Sequence, residues 1–125
     1  MSDSFGRLYD AVVAARDGDP AASRTTRLLH AGRRKISKKL GEEAVEVVID
    51  AINGNRENVV RESADLLYNL VVLWAELGIT PKQVWSEMDR REELFGIAEK
   101  RLKDFDLKAR RKVASLAVHR LQKQR

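Results

Sequence analysis

The sequence predicts an all-α fold. Apolar residues recur at three- and four-residue spacing through long stretches, and capping residues and glycines stand where such stretches begin and end. No alternating run reads as a strand, and aromatic residues make up only 6% of the chain, thin material for a β-sandwich.

The elements follow in chain order. Ser2, Asp3 and Ser4 offer N-caps for a first helix with Phe5, Leu8, Tyr9, Val12 and Val13 on one face. Asp17-Gly18-Asp19-Pro20 is a turn cluster that stops it near Arg16. Ser23 to Leu29 forms a short helical segment, with Gly32 as a break. From Arg33 to Asn53 the residues Ile36, Leu40, Ala44, Val47, Val48, Ala51 and Ile52 keep helical phase, and Gly54 sits where a helix wants a left-handed residue. Asn55 then caps a helix running to about Leu77, closed by Gly78. Thr80-Pro81-Lys82-Gln83 combines a capping Thr, a Pro at the first helical position and a Gln three residues after the cap, opening a helix expected to reach about Leu94. From Asp106 a further basic amphipathic helix is expected, with Val113, Leu116, Ala117 and Leu121 inward.

Composition removes several classes of function. With no cysteine among 125 residues there is no disulfide framework, thiolate zinc site or cysteine nucleophile. His30 and His119 have no ligand-spaced partner. No apolar run reaches the length of a membrane span, and the N-terminus lacks a signal core, so the expected compartment is the cytoplasm. The net charge of +5 belongs to the tail: residues 103–125 carry +6 and residues 1–102 carry −1. A main domain over 1–102 and a basic helical extension over 103–125 are therefore expected.

The chemistry-bearing anomaly lies between Ala64 and Ala75, ADLLYNLVVLWA, a stretch apolar nearly all round that nevertheless contains Asp65 and Asn69 and is preceded by Glu62. At 100° per residue these three fall at about 0° (Glu62), −60° (Asp65) and −20° (Asn69), one narrow polar stripe. A carboxylate buried there without a partner costs several kcal/mol, on the order of a full desolvation penalty. The preceding helix brings no positive partner: Glu42, Glu43, Glu46 and Asp50 form a single acidic arc. A lone EExxE is also compatible with a solvated face neutralised by Lys35, Lys38 and Lys39. Two acidic stripes joined by the Gly54 turn, however, face each other in a helical hairpin, and cations between them remove the repulsion. Oxygen ligands without His or Cys select Mg²⁺, or Mn²⁺, over zinc, and Mg²⁺ held so takes substrate phosphates as further ligands. The basic run Arg33-Arg34-Lys35-Ile36-Ser37-Lys38-Lys39, with Arg24 and Arg27 upstream, suits a polyphosphate substrate. No GxxxxGK[ST] loop accompanies it.

Lys35-Ile36-Ser37-Lys38-Lys39-Leu40-Gly41-Glu42-Glu43-Ala44-Val45-Glu46, then Asn53-Gly54, then Glu62-Ser63-Ala64-Asp65-Leu66-Leu67-Tyr68 resemble the phosphoribosyl-ATP pyrophosphohydrolases, a branch of the all-α MazG-like nucleotide pyrophosphohydrolases marked by EExxE followed by ExxD. The similarity runs from about Asp19 to Arg101 and includes Gly96-Ile97-Ala98-Glu99-Lys100. It implies a helical bundle completed by dimerisation of two chains, and Mg²⁺-dependent cleavage of the α–β phosphoanhydride of phosphoribosyl-ATP in histidine biosynthesis. By the same resemblance Glu43, Glu46, Glu62 and Asp65 hold the metal, and Glu42 supports a second ion or orients the attacking water. Glu42, Glu43 and Glu46 are thus the catalytic candidates, and Lys38, Lys39, Thr25 and Lys100 the substrate-binding ones. The chain departs from the family pattern at Arg24, at Asn69 and at Phe95, where Tyr, His and Ser are usual; none of these is one of the carboxylates.

Two other readings are compatible with the residues. A housecleaning nucleoside triphosphate pyrophosphohydrolase of the same superfamily keeps the carboxylates and changes the base and sugar contacts. A nucleic-acid-binding protein acting through the tail has Lys108, Arg110, Arg111, Lys112, Arg120 and Lys123 to offer, but only Phe105 as an aromatic, so base stacking is not supported and nucleic acid is disfavoured as a partner. Trp74 and Trp85 read as core or interface residues.

Overall fold

A computed structural model describes the backbone of residues 3–123 and the side chains within that range except 96–105 and 121–123. It has five helices: α1 (Ser4–Ala15), α2 (Arg24–Ala31), α3 (Arg33–Ile52), α4 (Arg56–Leu77) and α5 (Pro81–Lys123), with no strand among the described residues. The chain divides into two units, Met1–Val84 and Trp85–Arg125.

The helix ends are set by side chains close in sequence. The Asp3 carboxylate accepts from Gly6 N, Ser23 Oγ from Thr26 N, and Asn55 Oδ1 from Asn58 N, each satisfying a backbone donor of a first turn. Thr80 and Gln83 form the reciprocal cap: Gln83 N donates to Thr80 Oγ1 at 3.3 Å and Thr80 N donates to Gln83 Oε1 at 2.8 Å. Gly54 and Gly78 take φ of +71° and +70°, so the chain leaves α3 and α4 through a conformation other residues adopt at a cost.

In the first unit α3 and α4 form an extensive antiparallel hairpin, with α1 packed on α4 and α2 on α3. The core consists of Val12, Leu28, Leu29, Ile36, Val71, Val72, Trp74 and Ala75, with Phe5 stacked on Trp74 at 6.3 Å between ring centroids. Three side chains tie the helix ends to it. Arg16 Nη2 donates to Ala75 O at 2.5 Å near the end of α4, Thr26 Oγ1 donates to Ala15 O at 2.5 Å, and His30 Nε2 lies 3.2 Å from Arg16 O. His30 is itself exposed, and this backbone contact is the one partner seen for it among the described residues. Ile36 is fully buried and is the one buried residue that α3 gives the core. Ile36→Ala is expected to lower unfolding stability by about 2–4 kcal/mol, read from urea denaturation.

The second unit departs from expectation in two ways. The helix opened by Pro81 does not end near Leu94, and residues from Asp106 form no separate helix: α5 runs unbroken to Lys123. Past Pro81 no proline interrupts it, and Gly96, the one glycine in its length, lowers helix propensity without removing a hydrogen bond. The apolar stripe expected to point inward is exposed, Val113 by 67% and Leu116 by 58%. Leu121 lies outside the described side chains.

Candidate metal centre and active site

The hairpin turn at Gly54 sets the acidic faces of α3 and α4 against each other. Glu43 from α3 and Glu62 and Asp65 from α4 each bring a carboxylate oxygen within 4.8 Å of the other two. Glu46, one turn beyond Glu43, is not one of the three that converge, but it interacts with both Glu43 and Glu62. Glu43 and Glu62 are half-buried, whereas Glu46 and Asp65 are exposed. Glu43 Oε2 and Glu62 Oε2 are shielded from water and face no donor. These carboxyls bond to one another only by holding a proton between them.

The electrostatics follow from that crowding. The Glu62 carboxyl is pushed up to about 7, first by its hydrogen bond with Glu46, then by loss of water and by Glu43. Burial is the main cause raising Glu43, with the charges of Glu46 and Asp65 behind it, while its hydrogen bond with Glu62 pulls the other way. Two shielded oxygens without donors, in a set made only of carboxylates, fit a hard divalent cation of the Mg²⁺ or Mn²⁺ kind.

A pH dependence follows. Glu62 titrates higher in the folded chain than in the unfolded one, so the metal-free fold binds the extra proton between about pH 4.5 and 7. That stabilisation is complete below the unfolded value and is lost as pH rises through about 7. The thermal midpoint of the metal-free protein is expected to fall from about pH 5 to 8 more steeply than that of Glu62→Gln. Added Mg²⁺ should flatten the wild-type slope. Equal slopes in both proteins would exclude the shared proton.

The remaining candidates are placed as follows. Glu42 is exposed and stands 4.0 Å from Lys38 one turn before it, outside the carboxylate group. Lys38 therefore faces Glu42, while Lys39 is half-buried beside a groove between α2 and α3. Thr25 Oγ1 lies 2.5 Å from the Tyr68 hydroxyl, which ties α2 to the acidic helix and gives Thr25 a protein partner. The Lys100 side chain lies outside the described residues. The sequence reading counts Arg24, Arg27 and Lys35 in the basic set that suits a polyphosphate substrate, but of the groove that these three line with Lys39 it names only Lys39 as substrate-binding. Helical phase was the available signal, because Lys35 and Lys39 fall on the face of α3 that carries Glu43 and Glu46. It also did not foresee that Asn69 is the buried member of its stripe: it is 1% exposed, donates to Asp65 O at 2.7 Å, and leaves Oδ1 without a partner.

Comparison with known proteins places this site in a family. The sequence profile described as Phosphoribosyl-ATP pyrophosphohydrolase matches residues 5–92, a span that contains α2 to α4, all of α1 but Ser4, and every carboxylate of the site. The chain is 69% identical over 100 residues to "Phosphoribosyl-ATP pyrophosphatase 2" of Rhodopseudomonas palustris, covering 80% of this chain and 76% of that protein. It is 67% identical over 100 residues to the protein of the same name from Bradyrhizobium diazoefficiens, covering 80% and 75%. Against "Phosphoribosyl-ATP pyrophosphatase" of Gluconobacter oxydans it is 53% identical over 94 residues, covering 75% and 71%. A profile match over most of the chain, joined to identities of this size, means that the chain belongs to the phosphoribosyl-ATP pyrophosphohydrolase family.

Proposed function

We propose that this chain hydrolyses the α–β phosphoanhydride of phosphoribosyl-ATP, giving phosphoribosyl-AMP and pyrophosphate, as a step of histidine biosynthesis. The observation that carries the reading is the convergence of Glu43, Glu62 and Asp65 across the α3–α4 hairpin in a chain whose relatives bear that name. Glu43, Glu46, Glu62 and Asp65 hold divalent metal, Mg²⁺ by the hardness of the donors, with Mn²⁺ as a substitute. When bound, the metal neutralises phosphoryl oxygens and lowers the pKa of bound water. The catalytic domain is assigned to residues 1–102 and the basic extension to 103–125.

The chain's own groups do the rest. Pyrophosphate leaves as a bridging P–O bond breaks and a P–O bond from water forms, so one water proton must be taken up. The acidic group supplies acceptors, and Glu46, exposed and interacting with Glu43 and Glu62, receives that proton or orients the water. Glu42, turned toward Lys38, acts at one remove by holding a cation at the rim. Lys39 faces the groove next to the acidic group and contributes positive charge toward the substrate's phosphates.

Two copies complete the bundle in this reading. Val45, Val48, Ile49 and Ile52 on α3 are 57%, 56%, 52% and 80% exposed, and Val60 on α4 is 70% exposed. The four on α3 share one face, and exposed β-branched residues of this kind suit an interface between identical chains. Among the described residues no helix is long and apolar enough to cross a membrane.

The test is pyrophosphate release by the purified protein with Mg²⁺, comparing phosphoribosyl-ATP with ordinary nucleoside triphosphates. Release that is fast from phosphoribosyl-ATP and abolished by chelation is expected. Release from the ordinary nucleotides alone would move the substrate, and none from any nucleotide would remove the enzymatic reading.

A further inference from the structure

The face of α2 formed by Arg24, Arg27, Leu28 and Ala31 meets Lys35 and Lys39 of α3 across the Gly32 bend, enclosing a groove of about 300 Å³. The spacing is helical on both sides, so this is one face of each helix rather than a chance cluster. Four cations and no carboxylate line it. Its floor is Leu28, 8% exposed and part of the core. None of the four cations pairs with a carboxylate among the described residues, in contrast to Lys38, which turns to Glu42. Like charges one turn apart, as Lys35 and Lys39 are, destabilise a helix that binds no anion.

The groove adjoins the acidic group along α3. Lys35, Lys39, Glu43 and Glu46 fall within about 80° of one another around the helix, and along the axis the cations precede the carboxylates by about 6 to 16 Å. One helix face thus presents an all-cationic compartment followed by an all-anionic one. The acidic compartment, once it holds metal, takes the phosphates that react. The cationic one stands too far along the helix to serve those phosphates with all four of its charges. A volume of this size with an apolar floor also holds more than a bare phosphate.

We infer that the groove between α2 and α3 is a second anion subsite that holds a phosphorylated ribose, and that Arg27 and Lys35 thereby select the phosphoribosyl end of the substrate. The inference rests on the reading above, in which the substrate carries a triphosphate at one end and a phosphoribosyl group at the other. The cations bind the phosphate, and Leu28 and Ala31 lie under the sugar. The subsite grips the substrate away from the scissile bond, so it acts on affinity and on the choice of nucleotide more than on the chemical step.

Two measurements test it. The first compares kinetics on phosphoribosyl-ATP with those on ribosyl-ATP, the analogue lacking the phosphate on the added ribose. Arg27→Ala and Lys35→Ala should each raise KM for phosphoribosyl-ATP about tenfold or more, the scale of one lost charge-assisted hydrogen bond, with kcat nearly unchanged. Neither should move ribosyl-ATP kinetics, and Lys35→Arg should keep most of the wild-type preference. Equal losses on both substrates would show that the cations serve the triphosphate, and no loss on either would show the groove to be idle; both overturn the inference. The second measurement needs no turnover. Ribose 5-phosphate titrated into metal-free protein should shift the backbone amide NMR signals of Leu28, Ala31, Lys35 and Lys39, and should not do so in Arg27→Ala. Absence of these shifts in the wild type overturns the subsite. Failure of the wild type to cleave phosphoribosyl-ATP would count against the proposed function and leave the titration to decide the groove.

Discussion

Glu62→Gln is expected to abolish pyrophosphate release while leaving the metal-free fold at least as stable as the wild type. The two effects have one origin. In the folded chain the Glu62 carboxyl is crowded by Glu46 and Glu43 and holds its proton up to about pH 7. Glutamine keeps the shape and supplies a permanent N–H donor where the wild type needs that proton, so above pH 7 the share of the repulsion that Glu62 contributes disappears. The same change removes a charged oxygen ligand from a site whose other members are carboxylates. Asp65→Asn and Glu46→Gln should act alike on turnover, by about 10³-fold or more, the scale of losing one charge-stabilising group from an active site. Helicity by circular dichroism should be unchanged in all three, and Mg²⁺ affinity by calorimetry should fall. Full turnover in any one of them would remove that carboxylate from the site. A drop in the metal-free thermal midpoint of Glu62→Gln at pH 8 would contradict the repulsion argument.

Much of the fold was legible because its boundaries are local. The Asn55 cap, the left-handed Gly54 and Gly78 and the Thr80–Gln83 reciprocal cap involve residues three or four positions apart, and each stands where the sequence places it. The continuity of α5 was not legible for the complementary reason. Nothing between Leu94 and Asp106 forbids helix, and the expected break rested on a change of composition, which carries no stop signal. The inward orientation expected of Val113 and Leu116 failed because periodicity identifies an apolar face without saying what covers it.

At the site, pairing of the two acidic stripes was legible from helical phase and from a turn too short to join anything but neighbouring antiparallel helices. The division of labour among the flanking cations was not. Lys38 and Lys39 are adjacent in sequence and about 100° apart around α3, so one turns to Glu42 and the other to the α2 groove. The Lys38–Glu42 pair lies within α3, but what Lys39 meets depends on the angle at Gly32, a property of the tertiary packing. Asn69 was singled out for its stripe, but its near-complete burial is set by tertiary packing around α4, which phase alone does not give.

Replacing Val48 and Ile52 together by glutamate should leave a folded chain that no longer self-associates. In the single chain both side chains are more than half exposed, so a polar replacement disturbs no packing in the first unit, and glutamate is a strong helix former. With Val45 and Ile49 they make one stripe about 100° wide on α3. Under a symmetric interface each buried Val or Ile contributes about 1 kcal/mol for the half of its surface removed from water, and both copies contribute the same set. Two glutamates per chain bring four charges into that patch, each with a desolvation cost of about several kcal/mol unless paired, and like charges meet across a two-fold axis. Sedimentation velocity should therefore show the wild type as a dimer and the double variant as a monomer. The wild-type thermal midpoint should rise with protein concentration, as it does when association is linked to folding, and that of the variant should not. A wild type that stays monomeric at about 50 μM, or a variant that still dimerises, would take this stripe out of the interface, because micromolar dissociation constants already correspond to about 8 kcal/mol.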